Sequence, residues 1–353
     1  MRLWEKNIRQ VVPYVPGEQP AGDKIVKLNT NENPYPPAPG VKKVLEELDT
    51  DRLRKYPDPA ATVLVKELAA YYGLGEDQVF VGVGSDDVLA MSFLTFFNSD
   101  KPVLFPDVTY SFYKVWADLF KVPFETPALK EDFTIDTKDY AKENGGVIFP
   151  NPNAPTGVYM PLEQIEEILI ANQDVVVIVD EAYVDFAGPS ALELLDKYEN
   201  LLVVQTFSKS RSMAGMRIGF AMGHPDLIRA LNDVKYSYNS YTMNLPSLLA
   251  GVEAVKDKEY FEKTIEKIVA TREHAKKRLT ELGFTFPNSQ SNFIFASHKS
   301  VPAEKIFEAL KKEQIYVRYF KTPGLDNSLR ISIGTDEEMD TLFRFLEAYL
   351  PNA

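Results

Sequence analysis

Between residues 201 and 220 the chain reads LLVVQTFSKSRSMAGMRIGF. The opening Leu201-Leu202-Val203-Val204 is an apolar run of the strand type. Thr206, Phe207, Ser208 and Lys209 follow it, and Arg217 and Gly219 come after an intervening Ala214-Gly215. An amine placed directly after a strand, among small hydroxyl residues and ahead of an arginine, suits covalent chemistry beside an anion site. The hydroxyls of Thr206 and Ser208 and the guanidinium of Arg217 can hold a phosphate. A lysine that is partly desolvated and next to a cation is easier to deprotonate, and so can form a Schiff base with a carbonyl. Most lysines after strands are solvated loop residues, so Lys209 acquires meaning only where the rest of the chain converges on it.

Several elements do converge. Val79-Phe80-Val81 reads as a short strand, followed by Gly82-Val83-Gly84-Ser85-Asp86-Asp87 and an apolar helix to Phe97. In a strand–glycine turn–helix unit the free N–H groups of the first helical turn, with the helix dipole, suit a phosphate; Ser85 or Asp86 could equally serve only as a helix cap. Gly146–Phe149 is another strand and runs into Asn151-Pro152-Asn153-Ala154-Pro155-Thr156-Gly157, a loop stiffened by two prolines. Val175–Val179 is a continuous β-branched run, the mark of a strand buried on both faces, and it ends in Asp180-Glu181-Ala182-Tyr183. A carboxylate ending such a strand is costly unless it finds a partner. Strands alternating with helices imply a mainly parallel sheet with ligands at its C-terminal edge. The glycine turn, the Asn151 loop, Asp180 and Lys209 all fall at such strand ends, which points to a single site.

Composition narrows the class. The chain has 353 residues, 45% hydrophobic and 25% charged, enough for a large domain and a smaller one. A net charge of -12 gains nothing from counterion release, so no nucleic-acid partner is expected. With no cysteine and only His224, His274 and His298, widely spaced, no metal site is expected either. The opening MRLWEKNIRQ lacks an apolar signal core and no apolar run approaches a membrane span, so a cytoplasmic location without a membrane partner is expected.

The ends of the chain differ in character. Pro13, Pro16, Pro20, Pro34, Pro36, Pro37 and Pro39 forbid long helix and predict an extended arm over 1–40. Residues 41–245 form the large unit. Residues 246–353, after a long connecting helix ending near Leu282, read as strand, helix, strand, strand, helix: a small α+β domain. Arg318 and Arg330 lie in its strands, and an arginine among apolar neighbours, as in Ser328-Leu329-Arg330-Ile331-Ser332, usually meets a buried anion.

The ordered set Gly84-Ser85-Asp86, Asn151–Gly157, Asp180-x-x-Tyr183, Ser208-Lys209 with Arg217, and Arg330 resembles the fold-type-I pyridoxal-phosphate aminotransferases. LNTNENPYPP in the arm, KYPD at 55–58 and LRISIGT at 329–335 look more narrowly like the histidinol-phosphate aminotransferases, and the likeness spans about 28 to 335. The resemblance implies an α/β fold with a large domain, its mainly parallel sheet sandwiched by helices, plus a small α+β domain. It implies pyridoxal 5'-phosphate on Lys209, which would also shuttle the proton. Asp180 would pair with the pyridinium nitrogen, making the ring an electron sink. Tyr183 would bond the ring oxygen and Tyr110 would stack on the ring. Ser85 and Asp86 by their backbone, with Thr206, Ser208 and Arg217, would hold the cofactor phosphate. Tyr56 would reach the phosphate in a neighbouring subunit, which implies a homodimer with shared sites. Arg330, with Arg318 as second candidate, would bind the substrate's anionic end, and Asn29 with the NENP arm would close the pocket.

One position departs from that pattern: relatives usually carry asparagine before Pro-Thr-Gly, and here it is Ala154. Either Tyr183 makes the ring-oxygen contact alone or Asn153 moves in. The implied reaction is amino transfer between glutamate/2-oxoglutarate and histidinol phosphate/imidazole-acetol phosphate, ping-pong through pyridoxamine phosphate, in histidine biosynthesis. An aromatic-amino-acid aminotransferase or a threonine-phosphate decarboxylase of the same fold are the alternatives. A non-catalytic module is disfavoured because Lys209 and Asp180 are both present.

Overall fold

The computed structural model describes residues 2–22 and 24–353. Within the Pro-rich arm lies a three-residue strand, β1 (Val26–Leu28), followed by helices α1 (Pro39–Glu46) and α2 (Thr62–Tyr72). Then β2 (Val79–Gly82) runs into α3 (Ser85–Phe96), and β3 (Val103–Leu104) into α4 (Phe112–Phe120) and β4 (Phe124–Glu125). The alternation continues through β5 (Gly146–Pro150), α5 (Leu162–Ala171), β6 (Val177–Asp180) and β7 (Leu201–Thr206). Next come β8 (Gly219–Gly223), α6 (Pro225–Tyr238) and α7 (Leu245–Lys256). The long α8 (Lys258–Glu281) leads to β9 (Phe284–Thr285), β10 (Phe293–His298), α9 (Ala303–Lys312), β11 (Ile315–Tyr319), β12 (Leu329–Ser332) and α10 (Asp336–Tyr349).

Seven strands form the large sheet in the order β2-β8-β7-β6-β5-β3-β4. β8 pairs antiparallel with both of its neighbours, and the other pairs are parallel. The fold is thus the expected α/β class. β8 is absent from the strands read in the sequence: its five residues begin and end in glycine and give little periodic signal.

The alternation of side chains shows why helices cover both faces. Val177, Val179, Leu201 and Val203 belong to one core, while Ile178, Leu202 and Val204 belong to another on the opposite face. All seven are fully buried. A strand hidden on both sides reads as a continuous apolar run, which is how β6 and β7 appear in the sequence.

The second sheet has the order β1-β11-β12-β10-β9. β1 pairs parallel with β11, Leu28 opposite Val317, so part of the expected arm is an edge strand of the small sheet. Leu28 is buried in the same core as Ile315, Val317 and Ile331. Leu248, Ala250 and Ala254 of α7 pack instead into the core of the large sheet, while Ile268 and Ala275 of α8 join the small-sheet core. The changeover between the cores therefore falls between α7 and α8.

Where β8 meets β2, Gly219 lies opposite Gly82. A Cβ built on Gly219 would stand 2.2 Å from the backbone carbon of Gly84 and the nitrogen of Ser85. No side chain fits without displacing the turn that opens α3. Gly219→Ala should therefore lower the melting temperature, with a loss on the order of 3 kcal/mol as for other overpacked sites. Thermal unfolding checks this.

Candidate active site

A cavity of about 470 Å³ opens at the C-terminal edge of the large sheet. Ser85 and Asp86 reach it from the start of α3, Asp180 and Tyr183 from the end of β6, and Ser208 and Lys209 from the end of β7. Tyr110, Thr206 and Arg217 complete that wall, and Tyr14, Pro16, Gly17 and Thr30 of the arm cover it. Parallel neighbours β5, β6 and β7 bring their C-terminal ends to one line, which is why residues distant in sequence meet here.

Asp180 is buried, at 4% exposure. Its Oδ2 accepts a hydrogen bond from the Tyr113 hydroxyl at 2.7 Å, whereas Oδ1 is buried without a partner. Burial pushes the carboxyl up from the ordinary 3.8 to about 6, against the pull of Tyr113, the Ala182 N–H and Lys209. The Lys209 amine donates to the Thr30 carbonyl at 3.1 Å and stands 5.7 Å from the centre of the Tyr183 ring. An amine and an under-satisfied carboxylate thus share one cavity.

The glycine turn packs closely against Arg217. Gly84 caps α3 with φ of 83°, a conformation that favours glycine, and no side chain caps the helix. A Cβ on Gly84 would lie 2.4 Å from Nη2 of Arg217. Arg217 pairs with Asp86 at 3.5 Å and approaches the Ser208 hydroxyl at 3.5 Å. Thr206 and Ser208 share a hydrogen bond of 3.1 Å beside it. Asp87, rather than Ser85 or Asp86, turns back to accept the Val83 N–H at 2.9 Å. Tyr110 lines the cavity and donates to Asp86 Oδ1 at 2.7 Å.

The residues expected for the substrate meet the arm. Arg318 and Arg330 face each other across the β11–β12 ladder. Arg330 donates to the Asn29 carbonyl at 3.0 Å, while its Nε is buried without a partner. Burial lowers the Arg330 pKa, with Tyr183 opposing that shift. Arg318 donates to the carbonyls of Val15 and Pro16 at 3.3 and 3.5 Å. The Asn29 amide donates to the Glu18 carbonyl at 2.7 Å and so fastens the arm to itself. Tyr14 stacks on Phe112 with ring centres 4.2 Å apart.

Asn153 and Tyr56 do not line the cavity of this chain. The Asn153 amide donates to the Val108 carbonyl at 3.0 Å and to Thr156 at 3.1 Å, and accepts from Thr109. Those bonds hold the loop in shape, and Ala154 is the loop residue on the cavity wall. Tyr56 lies outside the cavity of its own chain, 81% exposed and stacked on Tyr241 at 4.6 Å.

Three residues were not singled out in the sequence. Tyr113 stands among the aromatics Phe112 and Trp116 of α4, yet its hydroxyl reaches Asp180. Thr30 acts through its carbonyl, which no side-chain pattern reveals. Asn31, expected only as the first residue of the NENP stretch that closes the pocket, donates to the Tyr183 hydroxyl at 3.0 Å.

The residues present fit pyridoxal phosphate. The Asp180 oxygen without a partner could take a cationic ring nitrogen, the free N–H groups at the start of α3 beside Arg217 could take a phosphate, and Lys209 supplies an amine to the same cavity. In cofactor-free protein the raised Asp180 pKa has a sign. Its stabilising contribution is fully present below about pH 4 and is lost as pH rises through about 6. Asp180→Asn cannot ionise, so its cofactor-free form should gain on wild type by on the order of 2–3 kcal/mol between pH 4 and pH 7. Melting curves across that range test this.

A family model described as "Aminotransferase class I and II" matches residues 23–346. A histidinol-phosphate aminotransferase of Clostridium acetobutylicum is 53% identical over 338 residues, covering 96% of each chain. One of Brachyspira hyodysenteriae is 51% identical over 345 residues, covering 98% of each. Among solved structures, the histidinol-phosphate aminotransferase of Sinorhizobium meliloti in complex with pyridoxal-5'-phosphate superposes with a TM-score of 0.83 at 25% identity, over 93% of this chain and 90% of that one. The chain belongs to the class I and II aminotransferase family.

Proposed function

We propose that this protein is a histidinol-phosphate aminotransferase, exchanging an amino group between L-glutamate and imidazole-acetol phosphate. The observation that carries the reaction class is the pairing, in one cavity, of the Lys209 amine with the unpartnered Asp180 oxygen. The substrate follows from relatives of that name at about half identity over nearly the whole chain. Bound pyridoxal phosphate supplies an electron sink that labilises the bond to the substrate's Cα hydrogen.

The chain's residues then have separate tasks. Asp180, oriented by Tyr113 at the end of β6, would hold a proton on the ring nitrogen. Lys209 would accept and return the Cα proton, since its flexible stem lets the amine move between neighbouring atoms. Ser85 and Asp86 by their backbone, with Thr206, Ser208 and Arg217, would bind the phosphate. Tyr110 would pack on the ring face, and Tyr183 would bond its oxygen. Arg330, backed by Arg318, would recognise both glutamate's carboxylate and the second substrate's phosphate, because a planar guanidinium fork matches either. Asn29 and the arm would exclude water.

With this function go small-molecule substrates, a homodimer and a cytoplasmic location. No helix among the described residues is long and apolar enough to cross a membrane. The exposure of Tyr56 supports its service to a neighbouring subunit's site. Arm, large unit and small unit would each contribute, the small unit through the β12 arginine.

Purified protein with pyridoxal phosphate should absorb visible light, and Lys209→Ala should abolish both that band and about 10²–10⁴-fold or more of the turnover. Steady-state rates with glutamate should favour imidazole-acetol phosphate over phenylpyruvate as acceptor and give the parallel double-reciprocal lines of a ping-pong reaction. Preference for phenylpyruvate would reassign the enzyme to aromatic amino acids, and release of CO2 from threonine phosphate would make it a decarboxylase. Sedimentation should give twice the 39.9 kDa chain mass.

A further inference from the structure

We propose that Asn31 is a positioning residue for Tyr183: its amide, locked by Ser332, obliges the tyrosine hydroxyl to donate its hydrogen into the cavity, toward the ring oxygen of the bound cofactor. This rests on pyridoxal phosphate occupying the site at Lys209.

The direction of each hydrogen bond follows from its neighbours. The Asn31 N–H donates to Ser332 Oγ at 2.8 Å. Ser332 Oγ lies 3.1 Å from Asn31 Oδ1 and donates its own hydrogen there. Turning the amide over would set its NH2 against Ser332 and leave the buried serine hydrogen without an acceptor among the described residues. With Oδ1 fixed toward Ser332, Nδ2 faces Tyr183 and donates to its hydroxyl at 3.0 Å. The Tyr183 oxygen is therefore an acceptor on that side. Its own hydrogen has no acceptor among the described residues, and the tyrosine lines the cavity.

The backbone adds to the lock. Asn31 has φ of 56°, a conformation that asparagine, aspartate and glycine tolerate. Its carbonyl accepts from the Asn292 amide at 3.0 Å, and the residue is 1% exposed. Ser332 is two residues after Arg330 on β12, so one strand serves both the guanidinium and the amide that sets Tyr183. Among the described residues, the charged or titratable groups that interact with Tyr183 include Lys209 on the loop after β7, Arg330 on β12, and Tyr110 and Tyr113 around the start of α4.

The hydrogen that Tyr183 donates competes for the ring oxygen with the proton on the lysine-linked nitrogen, and so keeps that proton easier to remove. Asn31→Asp keeps the shape and the backbone but replaces a donor with an acceptor, which draws the Tyr183 hydrogen out of the cavity. The test is a pH titration of the visible absorbance of the cofactor-loaded protein. In N31D the midpoint should rise by about one pH unit or more, since a hydrogen bond to a charged oxygen is worth about tenfold in such an equilibrium. In Y183F the N31D substitution should add little, because its route is gone. Ser332→Ala, which frees the amide to turn over, should raise the midpoint by less and in the same direction.

An unchanged midpoint in N31D and S332A, with the visible band intact, overturns the inference. A rise that persists undiminished in Y183F also overturns it, by showing a charge effect that bypasses the tyrosine. A wild-type protein without a visible band would instead remove the cofactor on which the inference rests.

Discussion

A carboxylate without its counter-charge, held at the end of an inner strand, sets the terms for the rest of this molecule. Asp180 closes β6, which is flanked by β5 and β7 and covered on both faces. One oxygen is satisfied by Tyr113, and the other finds no hydrogen-bond partner within reach among the described residues. Isolated charges removed from water cost several kcal/mol, and a protein that keeps one does so where a ligand will complete it. A cationic ring nitrogen meets that need. The Lys209 amine follows the neighbouring strand β7, and the glycine turn follows β2 at the edge of the sheet; both reach the same cavity as Asp180.

Behind this wall the polar groups are more fully matched. Glu181, the next residue, is buried, and burial pushes its carboxyl up to about 7. Ser190, the Ala191 N–H and Gln205 all donate to it, and Tyr72 donates to Gln205 in turn. Asp185 accepts from Ser210, whose carbonyl accepts from Asn33 of the arm. The turn that carries Tyr183 and the loop that carries Lys209 are thereby tied together. Adjacent carboxylates have opposite tasks: Glu181 is enclosed by donors, and Asp180 faces the cavity with one oxygen free.

The sequence reveals this arrangement unevenly, for physical reasons. β6 and β7 are continuous apolar runs because both their faces are buried, and ligands gather at their C-terminal ends because parallel strands all end on one edge. Lys209, Asp180, Ser85 and Arg217 could therefore be found from local pattern and strand order. β8 and β1 could not: one is five residues bounded by glycines, the other three residues within a proline-rich stretch. Tyr113 looks like its apolar neighbours until its hydroxyl is followed to Asp180. The hydrogen bonds of Asn31 to Ser332 span 301 positions, a separation on which no periodicity bears. Asn153 is ambiguous for the opposite reason: a side chain able to donate to a ring is equally able to donate to its own loop, as it does here.

The arm's contacts with the small sheet bear on how tightly any anion can be held. Arg318 and Arg330 already donate to main-chain oxygens of Val15, Pro16 and Asn29. An incoming carboxylate or phosphate that claims those same hydrogens replaces a neutral acceptor with a charged one. Binding strength then reflects the difference between two acceptors rather than the whole strength of an ion pair, and each displaced oxygen must find water. Among the described residues each arginine already holds at least one main-chain acceptor, so an anion arriving there would meet a guanidinium that is part bonded rather than bare.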